Sequence, residues 1–236
     1  MIKLDTEAVD GDSPADTLYF AFGDRALNGY LWGFPTLVDG RPMVCRGIYY
    51  IQTAGARDTD VRATLAKHLD AKGLDVKNYR LKHFAERGFE PDEPISKPGV
   101  LLVGEAAGID IATGEGIAQA IGYGEAAGRY LSEALGTGRL RFDDWLAHVR
   151  RQAEGRRLLT RLAAYRALYG ARRPLAEDVL YDSPDFIRWG AKDFAGKPVS
   201  PTALARGVNI LRAANYEGYE ALEYEAAPDP WQAVPA

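Results

Sequence analysis

One cysteine and three histidines are all that this sequence of 236 residues offers to a disulfide or a soft metal ion. The lone Cys45 excludes an internal disulfide and a thiolate metal cluster, and it fits a reducing compartment. His68, His83 and His148 fall in separate expected elements without ligand spacing, so no metal site is expected. Nowhere do about 18 uncharged apolar residues run together, so no transmembrane segment is expected. The acidic opening MIKLDTEAVDGDSPAD has no apolar core of a secretory signal, which makes the cytoplasm the expected location. A formal charge of −4 gives no general attraction to nucleic acid or to anionic membranes. Also missing near the start is a GxGxxG turn after a strand, with which dinucleotide sites normally open.

What is present is 47% hydrophobic residues, 26% charged ones and 25 glycines, enough to bury the core of one large domain or two small ones. The first third is β-rich. Thr17 to Phe22, Gly29 to Val38 and Met43 to Thr53 carry dense Tyr, Phe, Trp, Val and Ile, and Asp39-Gly40 between the last two is a hairpin signal. Alternation places Tyr30, Trp32 and Phe34 on one face of the middle run as an aromatic wall, with Leu31, Gly33 and Pro35 on the other. From Asp58 to Ala71 the spacing of Val61, Leu65, Ala66 and Leu69 predicts a helix, capped by Asp58 or Thr59 and ended by Gly73. A short strand near Tyr79 to Phe84 and the surface connection PDEPISKP follow. Beyond Leu135 the chain reads as helical: one helix from Asp143 or Asp144, with Gly155 as a possible interruption, and two more starting at Ser183-Pro184 and Ser200-Pro201. The closing APDPWQAVPA reads as a tail. Three segments result: 1–135, 136–226 and 227–236.

The end of the first is the unit that carries chemistry, Gly99 to Leu135. Gly99 to Val103 is an apolar run suited to a strand buried on both faces of a mostly parallel sheet, and ligands bind at the carboxyl ends of such strands. Gly104 permits a sharp turn and puts the Glu105 carboxylate at the strand tip, where it can accept hydrogen bonds from ligand hydroxyls. Gly114 and Gly116 clear side chains from a place where a flat ring could approach, and Thr113 can cap the helix that starts near Gly116. Ile117, Ile121, Gly124, Gly128, Leu131 and Leu135 form one stripe down that helix, expected to pack on the sheet. Glycine in a helix costs up to about 1 kcal/mol, so this many glycines argue for more than a connector.

These residues carry a resemblance. LLVGEAAGIDIATGEGIAQAIGYGEAAG, Leu101 to Gly128, is similar to the second flavin-binding motif of FAD-dependent oxidoreductases of the p-hydroxybenzoate hydroxylase fold. GYLWGFP, Gly29 to Pro35, resembles the tryptophan signature of geranylgeranyl reductases within that superfamily. Glu105 stands where the family has aspartate, Ile111 where it often has proline, and Leu27 where its tryptophan signature begins with proline. The resemblance implies an α/β chain: a mixed sheet of aromatic-rich strands, a flavin-binding strand-loop-helix and a carboxyl-terminal helical region, together a partial FAD/NAD(P)-binding fold. It implies that Gly104, Glu105 and Ala107 lie at the FAD ribitol and pyrophosphate. Gly114, Gly116 and Ile117 would present N–H groups to the pyrimidine edge of the ring, with NAD(P)H as a possible electron source. Tyr30, Trp32 and Phe34 would line a pocket for an apolar, isoprenoid-like substrate. The match corresponds to the carboxyl-terminal portion of a family member, so a separate amino-terminal FAD-binding chain is an expected partner.

No side chain stands out as acid or base, so no catalytic residue is named. Glu115 suits the first turn of a helix and, being anionic, is expected to point away from a reduced flavin. Cys45 reads as a small buried hydrophobe. Ten arginines against three acids from Arg139 to Arg173 read as a solvated helix face or packing surface sooner than as a nucleic-acid site. Two function classes stay open: an FAD-dependent reductase or monooxygenase, and a non-catalytic or partner-dependent binding module.

Overall fold

Strand alternation and one tight turn organise the first third. The computed structural model describes residues 1–22, 27–51, 60–169 and 184–195. Strands β1 (Ile2–Thr6), β2 (Tyr19–Ala21), β3 (Gly29–Val38), β4 (Arg41–Tyr50) and β5 (Lys82–His83) form an antiparallel sheet in the order β2-β3-β4-β1-β5. β3 has the expected bounds, and the β3–β4 turn takes positive φ at both Asp39 (50°) and Gly40 (75°), as a two-residue hairpin with right-handed twist requires. β4 begins at Arg41 and ends at Tyr50, and the expected Tyr79 to Phe84 strand reduces to Lys82–His83. β1 is a strand that the sequence pattern did not reveal, because Lys3 and Asp5 alternate with Ile2 and Leu4 over only five residues.

The two faces of this sheet are built differently. On one, Ile2, Leu4, Leu31 and Ile48 pack with Leu65 and Leu69 of helix α1 (Val61–Asp70) and with Leu27 and Leu74. Arg46 is buried in that layer, 2% exposed, and every polar direction is answered. Its Nε donates to Thr6 Oγ1 at 2.9 Å, its Nη1 to Asp12 Oδ1 at 2.8 Å and its Nη2 to Asp12 Oδ2, while Lys72 Nζ donates to Asp12 Oδ1 at 3.0 Å. A charge can be held out of water only with such pairing. Asp60 caps α1 by accepting from the N–H groups of Arg62 and Ala63, both at 3.0 Å, and Gly73, with φ of 74°, closes it. Asp58 and Thr59 lie outside the described residues.

The opposite face carries Tyr30, Trp32 and Tyr49, buried with Ile51, Ala112, Leu162 and Tyr165. Trp32 sits opposite Gly47 in the β3–β4 register, and its indole lies over the glycine, where a Cβ would overlap the ring. The aromatic wall therefore forms as the sequence implies, and Phe20 joins it at 5.5 Å from Tyr30 and 5.0 Å from Phe34.

The second half forms a hairpin, a loop and helices. Val100–Leu101 (β7) pairs antiparallel with Ser96–Lys97 (β6). This corrects the expectation of a strand buried in a parallel sheet, since Val100 and Val103 are both exposed. A 3-10 turn, Gly104–Ala107, leads toward α2 (Ile117–Gly136), α3 (Trp145–Arg151) and α4 (Ala153–Leu168). These pack through Phe89, Ile95, Tyr123, Tyr130, Phe142, Trp145 and Leu158, with the Trp145 indole N–H donating to the Leu102 carbonyl at 2.9 Å. The break between α3 and α4 falls at Gln152, whose ψ of 163° is extended, and not at Gly155. Gly155 instead lets α4 pass against the carbonyl of Val149. A further helix, α5 (Pro184–Phe194), starts at the proline, and its Phe194 ring meets Phe20 at 5.1 Å. The Ser200-Pro201 helix start and the tail lie outside the described residues.

The largest correction concerns α2. Its buried face is Gln119, Tyr123, Ala126, Ala127, Tyr130 and Ala134. Most of the stripe expected to pack on the sheet points the other way, with Ile117 75% exposed, Ile121 69% and Leu135 54%, while Leu131 packs against the helical core. A Cβ at Gly124 or Gly128 would meet no atom within 4 Å. Among the described residues, no helix is long and apolar enough to cross a membrane.

Candidate functional site

The loop between the 3-10 turn and α2 is held against the aromatic wall by hydroxyls of the wall itself. Tyr30 donates to the Thr113 carbonyl at 2.5 Å and Tyr49 to the Ile111 carbonyl at 2.9 Å. The loop is organised from within by Asp110, which is 1% exposed. Its carboxylate accepts from Ala112 N–H at 2.8 Å, from Thr113 Oγ1 at 2.5 Å and from Arg161 of α4 at 2.5 Å, while its carbonyl accepts from Gly114 N–H at 2.9 Å. The two sequence signatures, GYLWGFP and the Gly114-Glu115-Gly116 turn, thus meet at one place.

The local reasons for the glycines differ from those read in the sequence. A Cβ at Gly114, where φ is 66°, would come within 2.7 Å of both Glu86 Oε2 and the Tyr49 ring, and one at Gly116 within 2.9 Å of Ile109. The space beside them is filled by the protein's own atoms. Thr113 does not cap α2, since its hydroxyl is spent on Asp110. Glu115 takes that place: its Oε1 accepts from Ile117 N–H at 2.9 Å. Of the three residues expected to present N–H groups, Gly114 and Ile117 therefore have theirs engaged within the chain. A ring edge reaches the Ile117 N–H only after the Glu115 carboxylate swings aside.

At the other end of the loop, Gly104 is buried with φ of 58°, which lets the chain turn as expected, and Glu105 projects into solvent beside it. Ala107 is buried in the core with Tyr123, so its methyl faces inward. Ribitol hydroxyls and a pyrophosphate would meet the Glu105 carboxylate and the Gly104 backbone. The exposed Glu105 and the Gly104 turn would hold the ribitol end of an FAD, and the Gly114 to Ile117 turn would face its ring with the Gly114 N–H kept on the Asp110 carbonyl. Tyr30 and Trp32 are buried and Phe34 is half-buried, so the wall they form is packed rather than open.

Burial pushes the phenols of Tyr30 and Tyr49 above their ordinary value, with nearby Glu86 and Asp110 adding to the shift, so both stay protonated donors. Glu86 is the residue that sequence reasoning missed. Reciprocal backbone bonds fix the adjoining segment, Ile109 N–H to Arg87 O and Phe89 N–H to Ile109 O, each 2.9 Å. They place the Glu86 carboxyl against Gly114 and Tyr49, with Oε2 enclosed and without a hydrogen-bond partner. Desolvation raises that carboxyl to about 7. Nothing in the spacing of AERGFE marks it.

Other candidates resolve in structural terms. Cys45 is half-buried and burial pushes its thiol up, away from the thiolate form that a nucleophile needs. In the arginine-rich stretch Arg139 pairs with Asp144, Arg141 with Asp143, Arg150 with Asp92, Arg157 with Glu154 and Arg161 with Asp110. Among the described residues, no group of three or more His, Cys, Asp or Glu is arranged to hold a metal ion.

Against solved structures, the chain superposes on a geranylgeranyl bacteriochlorophyll reductase-like protein from Thermoplasma acidophilum with a TM-score of 0.55 and 20% identity, over 91% of this chain and 54% of that one. The fold is geranylgeranyl reductase-like. In sequence, the chain is 32% identical over 141 residues to digeranylgeranylglycerophospholipid reductase 2 of Methanothermobacter thermautotrophicus. That alignment covers 59% of this chain and 34% of the relative. The chain thus matches about a third of the length of this relative and about half of the solved structure. No family model matches.

Proposed function

We propose that this chain is the flavin-facing and substrate-facing part of an FAD-dependent oxidoreductase that acts on an apolar, isoprenoid-like substrate. The observation that carries the reading is the junction of the two signatures: wall hydroxyls of Tyr30 and Tyr49 bond the very loop that leads into the Gly114-Glu115-Gly116 turn. Flavin supplies hydride transfer when bound. The protein supplies position and environment. Glu105 and Gly104 hold the ribitol end, the helix N-terminus at Gly116 and Ile117 favours negative charge on the ring, and the aromatic face selects an apolar chain over a polar one. The name of the Methanothermobacter relative supports the isoprenoid class.

The test is anaerobic. Chain loaded with FAD and reduced with dithionite is mixed with geranylgeraniol, and flavin absorbance returns as the alkene is reduced. Return of absorbance only with oxygen, with an added oxygen atom in the product, assigns a monooxygenase instead. Recovery of the alkene unchanged under both conditions overturns the reading.

A second reading is favoured by the exposed stripe Ile117, Ile121, Gly124, Gly128 and Leu135 and by the partial length of the match. In it the chain functions together with a further polypeptide segment that covers this face of α2 and holds the rest of the cofactor. Expression with such a segment would then raise flavin affinity, and substitution of Ile121 by Arg would abolish that gain.

A further inference from the structure

We propose that Glu86 is the proton donor of this site. The inference rests on the oxidoreductase reading above and gives it the acid that the sequence did not supply. Four observations converge on it. The carboxyl lies against the Gly114 turn, at the position expected to face the flavin ring, and against the Tyr49 ring of the substrate wall. Its Oε2 is enclosed and makes no hydrogen bond. The neighbouring acids are otherwise occupied: Asp110 is paired with Arg161, Glu115 caps α2, and Glu105 stands in solvent. Finally, the segment is fixed through the Ile109 ladder, so the carboxyl is placed by backbone and not by a flexible surface loop.

A reduced flavin bound here would supply hydride to one carbon of an isolated double bond, whose π pair would then develop on the neighbouring carbon as the π bond breaks. Glu86 gives its proton to that carbon, a C–H bond forms, and the carboxylate is reprotonated from solvent while the flavin is left oxidised. An acid for this step must still hold its proton near neutral pH. Burial achieves this here, raising the carboxyl to about 7, with the negative charges of Glu105, Glu115 and Asp110 acting in the same direction and the amino group of Met1 opposing them. Such a role resembles other carboxylic acids kept neutral by desolvation.

The experiment uses the whole chain in wild-type, Glu86→Gln and Glu86→Asp forms. Carbon-13 NMR of glutamate-labelled chain, without flavin, should show one carboxyl titrating near 7 that disappears in E86Q. With FAD bound and dithionite as reductant, oxidation of the flavin by geranylgeraniol should slow by about 100-fold or more in E86Q, the usual span for loss of a general acid. KM and the flavin absorption spectrum should stay unchanged, and E86D should recover part of the rate. The wild-type rate should fall as pH rises through about 7, and E86Q should lose that dependence. E86Q reacting at the wild-type rate overturns the proposal and leaves the oxidoreductase reading standing, as does a wild type with every glutamate titrating in the ordinary range. A wild-type chain that takes up no flavin overturns the reading and this proposal with it.

Discussion

The α1 side of the sheet and the loop that leads into α2 treat buried polarity in opposite ways. Under α1, Arg46, Thr6, Asp12 and Lys72 answer one another, and even a fully buried guanidinium is saturated. Around the loop, a buried glutamate oxygen and the side-chain oxygen of Gln119 have no hydrogen-bond partner, and the long helix that follows turns an apolar stripe to solvent. Orphaned buried polar atoms cost stability, commonly about 1–3 kcal/mol each. A region that bears such costs beside a region that avoids them is where interactions with something else are expected. The first region is closed on itself, and the second is where the proposed site lies.

The strongest way to break this contrast is to damage the scaffold. Arg46→Ala removes one partner of a buried ion pair and should cost about 3–5 kcal/mol, read by urea denaturation. Next comes Gly47→Ala, which sets a methyl into the Trp32 ring and should cost about 1–3 kcal/mol by the same measurement, with a change in near-ultraviolet dichroism.

Smaller effects follow from titration, and the two regions should have opposite signs. The Arg46 guanidinium holds the Asp12 carboxyl below its ordinary 3.8, so its contribution is present above that value and is lost as pH falls through the lower, folded one. Glu86 is shifted upward, from 4.5 to about 7, so the folded state keeps a proton that the unfolded state has released. Stability from this group is full below about 4.5 and declines as pH rises to about 7. Thermal melts across pH 4 to 8 should show that decline in wild type, and E86Q should flatten it. The smallest effect is expected on the free face of α2: Ile121→Ser should change stability by no more than about 0.5 kcal/mol in the isolated chain. A large loss there would mean that the stripe is covered after all.

Much of the scaffold was legible because its signals are local. Asp39-Gly40 dictates its own turn, and alternation in β3 identifies which aromatics share a face. β1 escaped because five residues with two charges carry little period, although its Ile2 and Leu4 complete the α1 layer. α2 misled for a different reason. It has two apolar faces, Ile117 with Ile121 and Tyr123 with Tyr130, and periodicity cannot say which one meets a neighbour. Likewise the run Gly99 to Val103 has the composition of a buried strand while only two of its residues pair. At the loop, the meeting of the motif with the aromatic wall was implied, but the capping of α2 expected of Thr113 falls to Glu115. Glu86 was invisible because its importance is entirely tertiary: it depends on which loop the Ile109 ladder brings beside it.

The central claim is that the Gly104 to Ile117 loop faces a flavin. The most direct measurement is the visible spectrum of purified chain titrated with FAD. The account predicts a yellow protein, or uptake of added FAD with the shifted, structured absorption of a bound flavin and with quenched fluorescence. A colourless chain that leaves the spectrum of added FAD unchanged, while circular dichroism shows it folded, would contradict it.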